Sequence, residues 1–468
     1  MKPIRLKTKH LHLDSGEIIP AVVVCTPNQP LEILAYESAC DLDMGEYHHI
    51  ALARCDPHVH ARQNIVPSRE EFEALKIHEG EFDDVIPKIH AANLHYDVYR
   101  ASLAALKGGV WLIGCMGNTP WGPIGVQRWQ QTLDLYRRHA LVYTHVWPRL
   151  EPGVPAIDGQ EGKDFGSTFG GAGLSADERD AMFALWAGQD VSFHNDMPRP
   201  DQTIDEFFRH ATAALEAKFH LYYNGETVLQ SQRETIALAR KHHLRSLRTR
   251  HVPTGPALEM LLAERKVGGL KLPIEVGLDY LYWSWPMVVG HRTGKINYRR
   301  PAFPSEQDQL RLIAVLREVA FDPEIHLGSD HAPHSPEAKQ YKNGLPGSPG
   351  TRLLEHSHQI HAHLVHEHNF TWHQIDHLAA IHPTKYLERY YVGHFAYPIA
   401  TMASGAMCNL VVFDPDCGYC ADERILRTQL HDPDYHNALW LEPLRGKVLF
   451  TVVNGRVYDV SDEIKALN

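Results

Sequence analysis

From about residue 55 to 395 the sequence alternates strand-like runs with helix-like ones. "GGVWLIGCM", "HALVYTHVW", "QDVSFHNDM", "LRSLRTRHV", "GLKLPIEVG" and "EIHLGSD" are short and largely apolar, and between them lie stretches such as "SADERDAMFALWAG" and "RETIALARKHH". Alternation of this kind implies parallel strands joined by crossover helices. Sustained over so long a region, it predicts an α/β fold of the TIM (β/α)8 type. The two ends read differently. "EIIPAVVVCTP" and "LEILAY" near the start, and "CNLVVFDPD" with "GKVLFTVVNGRVYDV" near the end, are strands bounded by turn residues, the last with an Asn-Gly turn. These ends are expected to pair as a small β-sandwich, giving residues 1–54 and 396–468 to the sandwich and 55–395 to the barrel. A chain of 468 residues is long enough for both.

Composition narrows the partners. Hydrophobic residues make up 44% and charged residues 22%, which argues for a folded chain rather than a disordered or coiled-coil one. A net charge of −11 disfavours nucleic acid or an anionic membrane, although a local cationic pocket for a small acid is compatible with it. The first residues hold no apolar core of signal length, and no run of spanning length follows. Seven scattered cysteines do not suggest a disulfide scaffold. The expected location is therefore the cytoplasm, and a homo-oligomer is left open.

The chemistry concentrates in two histidine clusters, "CDPHVHARQ" at 55–63 and "LGSDHAPHS" at 327–335, within a sequence of 33 histidines. Residues two apart on a strand share a face, so His58 and His60 can aim both imidazoles at one point. His194 in "VSFHND", His251 in "RTRHVP" and Asp330 each follow a strand-like run at its C-terminal end. In a (β/α)8 barrel those ends form one face, so residues distant in sequence converge there. Four imidazoles and a carboxylate suit a borderline cation such as zinc with open positions, and such a cation activates water and polarises a carbonyl. Asp330 would take the proton of that water and hand it to a departing nitrogen.

"DPHVHARQ", "GGVWLIGCMGNTP" and "GSDHAPH" together resemble the amidohydrolase superfamily, and within it the dihydroorotases, whose first motif ends His-x-His-x-Arg and whose last is Asp-x-Ala-Pro-His. The C-terminal "GAMCNLVVFDPD" and "GKVLFTVVNGRVYD" resemble the closing β segment of many amidohydrolases. The resemblance implies reversible hydrolysis of dihydroorotate to N-carbamoyl-aspartate, a step of pyrimidine synthesis. It implies His58 and His60 as ligands of one metal ion, His194 and His251 as ligands of a second, and Asp330 as both ligand and proton shuttle. Arg62, Asn118 and His334 match the positions that hold the substrate carboxylate, a task suited to a forked guanidinium with amide and imidazole donors. The cofactor implied is zinc, one ion or two, or another divalent transition metal. Two further readings stand beside this one: another cyclic-amide hydrolase of the hydantoinase or allantoinase kind, and a non-catalytic scaffold.

The family pattern is broken at one point. Two-metal dihydroorotases commonly bridge their ions with a carboxylated lysine, and by order and by its aromatic-Pro pair "YTHVWP" puts His145 there. A neutral imidazole has one free lone pair and does not replace a bridging carboxylate. "KFHLYYNGET" would put His220 there instead, and Lys163, read as part of the following loop, is a third candidate. Other features carry less. "GSTFGGAGLS" at 166–175 lacks the ending of a phosphate cradle and reads as a loop, Cys417 and Cys420 in "CGYC" lack a second pair, and the run "EHSHQIHAHLVHEHNFTWHQIDH" reads as solvated helix positions.

Overall fold

Residues 2–61, 98–117, 122–164, 175–194, 225–289, 301–333, 350–419 and 444–468 are described by a computed structural model. The N-terminal segment supplies β1 (Ile4–His12), β2 (Ile18–Cys25), β3 (Glu32–Leu34), β4 (Leu42–Asp43) and β5 (His49–Leu52). Barrel strands follow: β6 (Arg54–Val59), β7 (Val110–Cys115), β8 (Tyr143–Val146), β9 (Arg149–Leu150), β10 (Glu161–Asp164), β11 (Asp190–Phe193), β12 (Ser246–Val252), β13 (Ile274–Gly277) and β14 (Ile325–Gly328). The C-terminal segment adds β15 (Leu410–Tyr419), β16 (Leu444–Val453), β17 (Arg456–Asp459) and β18 (Lys465–Ala466).

All pairings among β6 to β14 are parallel, in two runs, β6-β7-β8 and β9-β10-β11-β12-β13-β14. Two joints close them into a barrel. On one side β8 and β9 are a single strand broken at Trp147-Pro148, because proline cannot donate to a ladder. Trp147 still donates its amide to Cys115 at 2.9 Å, and Pro148 accepts the amide of Lys163 at 2.8 Å, so the broken strand bridges β7 to β10. On the other side Val59 bridges to His331, and the amide of His60 donates to the His331 carbonyl at 2.7 Å. β6, β7, β12, β13 and β14 are buried along their whole length, as strands covered on both faces must be. Helices Gly125–His139, Ala176–Leu185, Gly225–Lys241, Gly255–Val267 and Glu306–Glu318 lie between successive strands, and Ser175, Thr254 and Ser305 cap three of them.

The chain ends meet as expected. β5 pairs antiparallel with β15, so one hydrogen-bonded path runs β18-β17-β16-β15-β5-β1-β2-β3 through both termini. Alternation along the two strands at this joint divides two cores. Ile50, Leu52, Leu410 and Val412 pack into the sandwich core, whereas Ala51, Ala53, Val411 and Phe413 pack towards the barrel. The Asn-Gly turn joins β16 to β17, with Asn454 at φ 49° and Gly455 at φ 78°; a Cβ on Gly455 would run into the carbonyl of Thr26. The molecule is thus a TIM-type barrel carrying a β-sandwich built from both termini. Among the described residues, no helix is long and apolar enough to cross a membrane, and the six described cysteines are free.

Candidate metal centre

The ligand atoms of His58, His60 and Asp330 lie within 4.8 Å of one another, and all three residues are buried. The two imidazoles come from the C-terminal end of β6, as the two-residue spacing requires, with ring centroids 5.3 Å apart. Asp330 arrives from the far end of the barrel order, two residues beyond β14. Its Oδ1 is 2.8 Å from His60 Nε2 and 3.0 Å from His58 Nε2.

His251, near the end of β12, has its ring centroid 5.4 Å from that of His58 and 4.1 Å from that of His194, which directly follows β11. Four imidazoles therefore run in one arc from His60 through His58 and His251 to His194. Asp330 and His251 both have left-handed backbones, with φ of 46° and 33°. Such a conformation costs a non-glycine residue about 1–3 kcal/mol and persists where surroundings enforce it. At His251 it falls within the register shift of the β12–β13 ladder between Thr249 and Val252.

The donor set fits a divalent transition cation. Both ring nitrogens of His251 are buried without a hydrogen-bond partner among the described residues, an arrangement that is costly unless something takes the free lone pair. Burial, then the neighbouring His194, push the His251 imidazolium well below its ordinary range, so the ring is neutral and able to ligate. Asp56 ties the surroundings together: its Oδ1 accepts the amides of His58 at 3.0 Å and Ser329 at 3.2 Å.

His145 is elsewhere in the barrel order. It lies on β8, in register with Gly114 of β7, its ring edge-on to Trp147 with centroids 4.5 Å apart. β8 is the third barrel strand, and the fourth is β10, which carries Lys163 in register with Arg149 and Ser192. The lysine is 3% exposed. Lys163 is therefore a strand residue rather than a loop residue, one strand later than His145 and one before the strand that leads to His194. The order that put His145 at the lysine position had omitted this short strand. Arg62, Asn118, His334 and His220 lie outside the described residues, as do 166–174 and Cys420.

The histidine-rich run also differs from expectation. His358 and His361, on helix Ser357–His368, are buried rather than solvated, and His358 stacks on Trp372 and packs against Phe413. This helix face carries part of the seam between barrel and sandwich, so its histidines serve as flat core residues.

Three residues that sequence reasoning passed over form a chain that ends on the candidate ligands. Glu275 on β13 places Oε1 2.5 Å from His58 Nδ1 and accepts the His251 amide at 3.1 Å. Its Oε2 accepts from Arg248 Nη1 at 3.0 Å, and Arg248 Nε donates to Glu161 on β10 at 2.9 Å. Burial works against ionisation of Glu275, but His58 and Arg248 outweigh it and hold the carboxyl well below its usual range. Burial pushes Glu161 upward in spite of Arg248 and Arg250. The available signal was the presence of charged residues inside "SLRTRHV" and "PIEVG", runs that otherwise read as buried strands.

No protein-family model matches the sequence, and no curated protein matches it. Solved structures do match. A dihydropyrimidinase from Brevibacillus agri superposes with a TM-score of 0.74 at 14% identity over 99% of this chain and 96% of that one. An L-hydantoinase (dihydropyrimidinase) from Arthrobacter aurescens gives 0.69 at 17% identity over 99% and 97%. A dihydroorotase from Saccharomyces cerevisiae gives 0.54 at 13% identity over 86% and 98%. The chain thus shares its overall fold with these solved structures. Its architecture is similar, over nearly the full length, to that of dihydropyrimidinases and hydantoinases.

Proposed function

We propose that this protein is a metal-dependent cyclic-amide hydrolase of the hydantoinase or dihydropyrimidinase kind. The observation that carries the reading is the convergence of His58, His60 and Asp330, with His251 and His194 continuing the arc, on one end of the barrel. His58, His60, His194, His251 and Asp330 would hold one or two zinc ions or another divalent cation, with Lys163 as the additional ligand. A cation held there supplies Lewis acidity and water activation. Asp330, beside two imidazoles, is the base that receives the water proton and the acid that returns it to the ring nitrogen as the C–N bond breaks. The similarity to hydantoinases and dihydropyrimidinases supports a neutral cyclic amide as substrate.

Dihydroorotase is the second reading, supported by the His-x-His-x-Arg and Asp-x-Ala-Pro-His motifs and by the structural likeness to the yeast dihydroorotase. Arg62, Asn118 and His334 would then hold the substrate carboxylate. The deciding experiment supplies purified protein with zinc or manganese and offers hydantoin, dihydrouracil and dihydroorotate in parallel. Turnover of the neutral rings alone supports the first reading, and turnover of dihydroorotate alone replaces it with the second. A chain that neither binds metal nor opens any ring is a scaffold.

A further inference from the structure

One carboxylate touches two of the proposed ligands at once, and neither contact uses a ligand's metal-binding atom. Glu275 Oε1 accepts from His58 Nδ1 at 2.5 Å and from the backbone amide of His251 at 3.1 Å, while Oε2 is held by Arg248. Glu275, Arg248 and Glu161 are all 0% exposed. The desolvation of three enclosed charged groups can exceed the attraction they gain, so stability alone is a weak account of the arrangement.

The geometry specifies what that is. Glu275 accepts the His251 amide with Oε1 and the Arg248 guanidinium with Oε2, so it meets the His58 ring as an acceptor: the ring proton sits on Nδ1 and the lone pair on Nε2, the nitrogen that faces Asp330. The same oxygen pins the amide of His251, whose left-handed φ of 33° would otherwise relax. Arg248 bonds the opposite oxygen and so fixes the plane of the carboxylate, and its second carboxylate partner, Glu161, lies two residues before Lys163 on the same strand.

We propose that Glu275 is a positioning residue for the metal centre: it locks His58 in its Nδ1–H tautomer and braces the backbone of His251, with Arg248 clamped between Glu275 and Glu161 as its support. This rests on the metal-dependent reading above. Partners that orient a ligating imidazole typically contribute a factor of about 10–100 in metal affinity.

The test titrates metal-free wild type, Glu275→Gln and Arg248→Met with zinc or cobalt against a chromophoric chelator. A His58→Ala/His60→Ala double variant records binding by stray histidines, and thermal unfolding of each metal-free protein is followed in parallel. The expected result is a loss of about 10–100-fold in affinity for Glu275→Gln, with a changed cobalt visible spectrum and a retained cooperative unfolding transition. Arg248→Met should lose less, since His58 still meets a carboxylate. A folded Glu275→Gln that binds with wild-type affinity and an unchanged cobalt spectrum overturns the role of Glu275 alone. Wild type that binds no more metal than the double variant overturns the hydrolase reading beneath it. Should Glu275→Gln not fold, neutron diffraction from wild-type crystals decides: a proton on His58 Nδ1 upholds the proposal, and a bare Nδ1 overturns it.

Discussion

Asp56 on the first barrel strand accepts the backbone amide of Ser329, one residue beyond the last, at 3.2 Å, and with the same oxygen the amide of His58 at 3.0 Å. One carboxylate therefore ties both the closure of the barrel and the backbone of the first proposed ligand. Asp56→Ala leaves buried amides unpaired, each costing about 1–3 kcal/mol, and should lower the urea midpoint accordingly. Asp56→Asn keeps an acceptor oxygen and should stay near wild type. Equal midpoints for the two variants would show that this tie contributes nothing.

Asp330→Asn preserves shape and removes the proposed base. Turnover of whichever cyclic amide proves to be the substrate should fall by about 10²–10⁴ with the far-UV spectrum unchanged. A variant that keeps most of its kcat would take the proton-transfer role away from Asp330.

Lys163 and His145 make opposite predictions for the remaining ligand. If the fourth-strand lysine completes the site, Lys163→Met should bind less metal per chain while His145→Asn binds the normal amount. Mass spectrometry of the native protein prepared in bicarbonate should then find the mass of one added CO2 on Lys163. The reverse pattern in the two variants would restore the imidazole to that place.

Arg62 separates the two substrate readings. Under the dihydroorotase reading Arg62→Met abolishes dihydroorotate turnover, because the substrate carboxylate loses its forked partner. Under the hydantoinase reading the same variant leaves kcat/KM for neutral rings within a fewfold of wild type.

The seam histidines give a pH dependence with a definite sign. Unfolded imidazoles titrate near 6.5, whereas burial, then Arg54, keep His358 and His361 neutral far below that value in the fold. Below pH 6.5 the unfolded chain takes up protons that the native one refuses. Stability is accordingly full above pH 6.5 and declines as the pH drops, by up to about 1.4 kcal/mol per pH unit for each such histidine. His358→Phe should flatten the fall of the urea midpoint between pH 6.5 and 4.5, and an unchanged slope would count against it.

These outcomes bear on how much the sequence revealed. The alternation of strands and helices and the Asn-Gly turn were legible because hydrophobic period and turn chemistry are local properties. His58, His60 and Asp330 were legible because their spacing and strand-end position carry a geometric meaning. β10 was not, since "EGKD" has no apolar residue; the barrel buries Glu161 and Lys163 where a sandwich would bury valine, and a polar strand reads as a loop. That omission also hid Lys163 as a strand residue lying between His145 and His194 in the barrel order. The burial of His358 and His361 was hidden for the complementary reason: histidine composition reads as surface, whereas in the fold Trp372 and Phe413 pack against His358, and His361 lies edge-on to it.

The pairing of Leu52 with Leu410 sets the order of events during synthesis. As the nascent chain emerges, β5 leaves the ribosome with its β15 edge bare and stays so until the whole of the barrel has been translated. Contacts of such long range make folding slow and leave an open strand edge exposed to other chains meanwhile. A release that comes early, before β15, yields a barrel without its seam, so proteolytic trimming or premature termination near the C-terminus is felt at the N-terminus as well.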